Sequence, residues 1–301
     1  MIIHIMQLSY NNKMMKKWLK QVRDIWHRDM TPHLGKYDLQ IDAIYSFCMN
    51  QILIHQGIPI EHMEYYPIHQ RLNIKEVVTP GSTLKRVGGW GDGGYIMLYP
   101  YSNTKIAYSF GISNDVSWDL QMAENGYEVY QYDHTIEKLP IENRAFHWKC
   151  QGLTGGIETP KLKQLATLIK ENGHDSQNGM VLKMDIEGYE WEVFSNIDTK
   201  ILKQFDQITL EMHNLLSLRR NPVILKAIDK IISTHQTIYV HANNSGRVDL
   251  CGTLVTPDFL EVTFILREKY AFKESEFVLP TLIDEPNISK YPEIRLGRWN
   301  V

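Results

Sequence analysis

From Lys105 onward the chain alternates short apolar runs with helical patterns, and this alternation constrains its fold more than any other feature. Lys105–Gly111 (KIAYSFG), Tyr127–Asp133 (YEVYQYD), the weaker Ala145–Gln151, Met180–Asp185 (MVLKMD), Gln207–Met212 (QITLEM), Thr237–Ala242 and Glu261–Arg267 read as strands. Between them lie helical patterns. One covers Asp115–Asn125 and is closed by Gly126. A second starts at Thr159-Pro160 and runs through Leu162, Leu165, Leu168 and Ile169 to Gly173. A third starts at Asn221-Pro222 and carries Leu225, Ile228, Ile231 and Ile232. A capping side chain followed by proline is a helix-start signal. Strands separated by helices need crossover connections, which predicts a mostly parallel seven-stranded α/β sheet with helices on both faces.

The first eighty residues have a different texture and read as a helical region, with 81–301 as the main domain. Met15, Leu19, Val22 and Trp26 recur at helical spacing, and a second apolar stripe runs from Leu39 to Leu53. Gly57 and Pro59 end it, and Pro80-Gly81-Ser82 reads as a boundary. The tail after Tyr270 holds Pro280, Pro286 and Pro292 and reads as an ordered wrap or loop.

Composition narrows the function classes. The formal net charge is −3 with no long like-charge run, which argues against nucleic acid as the main partner. Cys48, Cys150 and Cys251 are far apart and form no CxxC pair, so they read as buried thiols of a reducing compartment. No stretch is apolar enough to span a bilayer, and Met1–Leu8 lacks a signal-peptide layout, so a cytoplasmic protein is expected. A small-molecule or carbohydrate acceptor is the expected partner, and a homo-oligomer is compatible with the chain.

In an open parallel sheet the ligand sits beyond the carboxyl ends of the strands. Those ends here are Gly111, Asp133, Gln151, Asp185, Glu211 and His241. Gly111, within Ser109-Phe110-Gly111-Ile112-Ser113, allows a tight turn and close ligand approach, although the three glycines of a dinucleotide cradle are missing. Asp133, about twenty residues later, suits the hydroxyls of a ribose. Asp185, Glu187 and Glu190 crowd the end of one strand. Glu190 reads as a solvated first-turn helix residue, whereas Asp185 reads as a general base or metal ligand. Glu211 and His213 share one face of the next strand by alternation. His241 and Asn243 suit hydroxyl recognition. Upstream, five glycines in seven positions flank Asp92, and the following Tyr95–Leu98 looks like a strand. This segment reads either as a hairpin or as a loop over a cofactor, with Asp92 and Gly94 touching it.

The succession DGGY, YSFGISNDVSWD, YEVYQYD, LKMDIEGYEW and ITLEMH resembles the FkbM-type methyltransferases and methyltransferase-like proteins over roughly Arg86–Arg267. The resemblance implies the class I methyltransferase Rossmann-like fold, S-adenosylmethionine as donor, and often methylation of a sugar or polyketide hydroxyl. It also implies that the Gly111 turn and Asp133 hold the donor. The expected site is therefore Asp92, Gly94, Phe110, Gly111, Ser113, Asp133 and Gln151 for the donor. Asp185, Glu211 and His213 are expected to do the chemistry, and Glu187, His241 and Asn243 to bind the acceptor. Asp185 and Glu211 could alternatively hold Mg²⁺. Two rival readings are a nicotinamide-dependent oxidoreductase, against which the missing glycines count, and a catalytically silent binding module.

Overall fold

The computed structural model describes residues 64–218, 221–251 and 254–301. The expected helices before residue 54, and Cys48, lie outside them. Seven strands form the central sheet: β1 Ile106–Phe110, β2 Glu128–Tyr132, β3 Phe146–Lys149, β4 Met180–Met184, β5 Phe205–Met212, β6 His235–Ala242 and β7 Leu260–Leu266. Their order across the sheet is 6-7-5-4-1-2-3. All neighbours pair parallel except β7, which runs antiparallel to both β5 and β6. This is the expected mostly parallel sheet, with the reversed strand inserted between β5 and β6.

Side-chain alternation assigns each face to different helices. Tyr108, Phe110, Leu182, Met184, Ile208 and Leu210 point into the larger core. There they meet Leu165 and Leu168 of α2 (Leu165–Glu171), Trp191 and Phe194 of α3 (Glu190–Asn196), and Ile224, Ile228 and Ile231 of α4 (Val223–Ile232). Ala107, Val129 and Val181 point the other way, onto Trp118 and Met122 of α1 (Ser117–Glu124) and onto Tyr95 and Met97. Tyr95–Tyr99 pairs with Thr83–Val87 as an antiparallel hairpin whose connection is the glycine-rich segment. Tyr65, Ile68, Leu72 and Ile74 also lie in the larger core.

Two helix starts differ from expectation. Thr159-Pro160 does not open α2. The Thr159 hydroxyl accepts from the Leu162 amide, Leu162–Lys163 pairs with Gly152–Leu153, and the helix begins at Leu165. A local turn and a strand pair there outcompete the cap-proline signal. Asn221 gives α4 no side-chain cap, since Pro222 occupies the position before its first residue. The tail does wrap. Phe272–Glu274 pairs with Lys75–Val77, Trp299 Nε1 donates to the Leu72 carbonyl at 3.0 Å, and Asn300 bonds both backbone groups of Ile74. Cys150 is exposed and Cys251 buried, both as free thiols, so burial holds for only one of the two. Among the described residues no helix is long and apolar enough to cross a membrane.

Candidate functional site

Strand register brings the chemistry into one row. Phe110 lies opposite both Tyr132 and Met184, and Met184 lies opposite Leu210. One residue further on, Asp133, Gly111, Asp185 and Glu211 therefore sit side by side along the carboxyl edge of the sheet. Glu211 faces Glu261 of β7, which faces His241 of β6.

At the Gly111 end of this row the backbone is tightly fixed. Gly111 has φ +77, and a Cβ there would lie 1.6 Å from the Asp185 carbonyl oxygen. Its amide donates to Tyr132 and its carbonyl accepts from Lys183 Nζ at 2.5 Å. The glycine is thus demanded by the close approach of β1 and β4, so a valine at Gly111 would disturb the fold as well as any ligand. Asp133 Oδ2 accepts from the amides of Ile112 and Ser113, both at 2.9 Å. Its Oδ1 accepts from the Thr135 amide and hydroxyl. Burial favours the neutral acid, but these bonds win and hold the carboxyl below the usual range. All four acceptor positions are taken by the chain, so Asp133 first of all holds the turn. Ser113, with φ 48, is exposed beside it. Phe110 departs from expectation: its ring is fully buried and stacks on Tyr132 at 5.0 Å, on the core side of the sheet. Gln151 bonds the Pro160 carbonyl through Nε2 while its buried Oε1 has no partner.

At the other end, Asp185, Glu211 and His213 form one cluster. His213 Nε2 lies 3.8 Å from Asp185 Oδ1, 3.9 Å from Glu211 Oε2 and 3.6 Å from Glu187 Oε2. Glu187 is exposed and sits at φ 58, and Gly188 follows at φ +98, so the chain folds back sharply onto the strand ends. Glu190 is the main departure here. It is fully buried rather than solvated, and Oε1 accepts from the Ile186 amide at 2.9 Å and pairs with His213 Nδ1 at 3.0 Å. The cause is the docking of α3 against β5, where Trp191 Nε1 donates to the His213 carbonyl at 2.8 Å. Burial lowers the proton affinity of His213, but Glu190, Asp185 and Glu187 reverse this and raise it above its ordinary value. Burial, with Asp185, Glu261 and Asp92 adding repulsion, holds the Glu211 carboxyl well above the usual carboxylate range.

His241 and Asn243 do not offer free groups to an acceptor. His241 is clamped between Glu261 (2.9 Å) and Glu293 (2.8 Å). Against the opposing effect of burial, these two carboxylates raise it to about 10. Asn243 donates to Glu211 at 2.6 Å and accepts from the Ser245 amide. Both residues brace the row because their polar atoms are already satisfied within the chain.

The glycine-rich segment lies across the row. Tyr95 donates its hydroxyl to Asp185 Oδ2 at 3.3 Å. Asp92 is exposed, and Asn287 from the tail donates to both Asp92 and Glu261. Gly94 packs against the Gly89 carbonyl and the Arg86 guanidinium, so it closes the loop. Tyr95, Glu190, Glu261 and Asn287 escape sequence reasoning. Glu190 and Glu261 carry a polar-residue signal beside the strand ends, while Tyr95 and Asn287 come from segments far from the strand ends in sequence.

The profile of the Methyltransferase FkbM domain matches residues 70–269. The probable methyltransferase-like protein 24 of Homo sapiens is 29% identical over 118 residues, covering 35% of this chain and 32% of that protein. Its counterpart from Rattus norvegicus is 28% identical over 118 residues, with the same coverage. The chain thus spans about a third of the length of these curated relatives. A mutant form of the 16S rRNA (adenine(1408)-N(1))-methyltransferase from Catenulisporales acidiphilia overlays 61% of this chain and 98% of its own at 11% identity. Its TM-score of 0.28 is too low to bear on the fold. With the profile spanning most of the chain, including the whole strand-end row, this protein belongs to the FkbM methyltransferase domain family.

Proposed function

We propose that the protein transfers the methyl group of S-adenosylmethionine to a hydroxyl oxygen of a neutral acceptor, read as a sugar. The observation that carries this is the double position of Asp185. Its backbone carbonyl packs against the Gly111 turn, and its carboxylate faces His213. A donor at the turn and an acceptor at the cluster are then neighbours, and alignment of the two is the main requirement of the reaction.

The residues at the turn suit the donor. The turn 111–113, Asp133 and the loop around Asp92 would hold the ribose and methionine parts. Gln151 Oε1, buried without a partner, suits an amino group of the adenine. Thr135 would yield Asp133 Oδ1 to a ribose hydroxyl. When bound, the sulfonium supplies an electrophilic methyl carbon and leaves as the neutral thioether of S-adenosylhomocysteine. The acceptor oxygen gains the O–C bond and gives its proton to the Asp185–Glu211–His213 cluster, which passes it to water. The raised proton affinities of Glu211 and His213 favour that uptake once both groups are deprotonated.

The acidic surroundings of the cluster disfavour an anionic acceptor. Tyr189 (63% exposed) follows Asp185 closely in sequence, and Trp90 (85% exposed) precedes Tyr95, which bonds Asp185; both offer faces on which a sugar ring can stack. The test is calorimetry with S-adenosylhomocysteine beside NAD, followed by labelled-methyl transfer to a panel of neutral sugars. Binding of the thioether without NAD, and label in a sugar ether, is expected. Binding of NAD alone, or label appearing on nitrogen, would sink the reading.

A further inference from the structure

We infer that Asp185, Glu211 and His213 form a site for one divalent cation of the Mg²⁺ or Mn²⁺ kind. That the cation receives the acceptor hydroxyl rests on the methyl-transfer reading; the cation site itself does not.

Each of the three side chains has one polar atom tied down and the other turned inward. Asp185 Oδ2 accepts from the Tyr95 hydroxyl, while Oδ1 faces His213. Glu211 Oε1 accepts from Asn243, while Oε2 faces His213. His213 Nδ1 is held by Glu190, which leaves Nε2 toward both carboxylates. Outer partners that fix one atom of each ligand are the arrangement that orients metal ligands.

The three inward atoms all lie within 4.8 Å of one another. Oxygen ligands at the bond lengths of Mg²⁺ to Ca²⁺ stand about 3–5 Å apart. The surroundings of Glu211 point the same way. Its side chain is 6% exposed, faces Glu261 across the strands and stands in one cluster with Asp185. Carboxylates gathered with so little solvent repel one another unless a cation stands among them.

No lysine or arginine among the described residues pairs with any of the three. The nearby Lys183 is spent on the Gly111 carbonyl. One imidazole and two carboxylates occupy one side of a six-coordinate ion and leave positions open for solvent and a hydroxyl. Glu187 Oε2, exposed and 3.6 Å from His213 Nε2, stands at the rim as a further oxygen ligand. With the cation in place the three ligands no longer take up the proton themselves; a hydroxyl reaching such an ion loses its proton more readily, to Glu187 at the rim or to water.

The test is Mn²⁺ titration of chelator-treated full-length protein, read by the electron paramagnetic resonance of free Mn²⁺. One bound ion per chain is expected, displaced by excess Mg²⁺. Asp185→Asn with Glu211→Gln should weaken binding at least on the order of a hundredfold, while Glu142→Gln on the surface leaves it unchanged. Pulsed resonance on the unsubstituted protein should show a nitrogen coupling from His213, lost in His213→Gln. This readout does not depend on how well the double variant folds. Absence of stoichiometric Mn²⁺ binding, or binding without a nitrogen coupling, overturns the site. A chain that binds S-adenosylhomocysteine but no Mn²⁺ loses the cation and keeps the methyl-transfer reading. One that binds Mn²⁺ but no thioether does the reverse.

Discussion

Glu190 Oε1 stands 3.0 Å from His213 Nδ1, and the glutamate has no exposed surface. The same oxygen accepts from the Ile186 amide, so one carboxylate ties the turn after β4 to the end of β5. The pair fixes which ring nitrogen of His213 faces Asp185 and Glu211. In the proposed reaction Glu190 would therefore be a positioning residue, acting through His213.

This gives a first prediction. Glu190→Gln keeps an oxygen for Nδ1 but removes the charge, so the ring should stay in place with a lower proton affinity. Turnover should fall about ten- to a hundredfold, with its pH profile shifted to lower pH and donor affinity unchanged. Glu190→Ala breaks a buried pair and should lose about 3–5 kcal/mol of stability in urea titration. A Gln variant with an unshifted pH profile would remove Glu190 from the mechanism.

Asp133 yields a second prediction, because four donors of its own chain already occupy it. Asp133→Ala should weaken S-adenosylhomocysteine binding by about 1.5–3 kcal/mol, the scale of bonds to a charged group. Two routes lead to that loss, and the 2′-deoxy thioether separates them. If the carboxylate reads the ribose, the preference for the 2′-hydroxyl vanishes in the variant. If it holds the turn, the preference survives at lower affinity. Unchanged affinity for both compounds would exclude Asp133 from the donor site.

The parts of the site that end a strand were legible in the sequence, because a polar residue closing an apolar run is a local signal. Asp185, Glu211 and His213 meet as alternation and register require. What was not legible depends on docking between distant segments. A first-turn glutamate looks solvated until Trp191 pins its helix to the His213 carbonyl. Asn243 and His241 look like free hydroxyl binders until Glu211, Glu261 and Glu293 arrive from other strands and from the tail. Asn287 carries no motif, and Tyr95, although it closes the DGGY stretch, gives no sign of its bond to Asp185, since both roles are set by where the hairpin and the tail lie. Thr159 shows the same limit at the level of local structure, where a turn displaced the cap.

Gly111 supports a third prediction. Its φ of +77 and a Cβ position 1.6 Å from the Asp185 carbonyl make even alanine strained. Left-handed backbone and overpacking together should remove about 2–6 kcal/mol of stability from Gly111→Ala. Gly126, with φ +83 and open space around its Cβ position, is the control that carries the backbone effect alone. Its alanine variant should lose roughly 1–3 kcal/mol. Equal denaturation midpoints for the two variants would show that β1 and β4 do not meet as closely as described.

Buried histidines set the last prediction, the dependence of stability on pH. His69 and His235 are lowered to about 4, chiefly by burial, against which their backbone contacts at Trp299 and Phe205 act only in part. Unfolding frees both to take up protons below their ordinary value of about 6.5, so stability should fall as pH drops from there toward 4. His241 works in the opposite sense. Burial opposes its charge, but Glu261 and Glu293 raise it to about 10. Its folded form keeps a proton that the unfolded chain releases above about 6.5. The stabilisation is full below that value and is lost as pH rises toward 10. Urea midpoints at about pH 5, 7 and 9 should therefore be highest in the middle. His235→Gln should flatten the acid side, and His241→Gln the alkaline side. An alkaline decline of unchanged steepness in His241→Gln would show that the Glu261–His241–Glu293 clamp does not hold its proton in the folded protein.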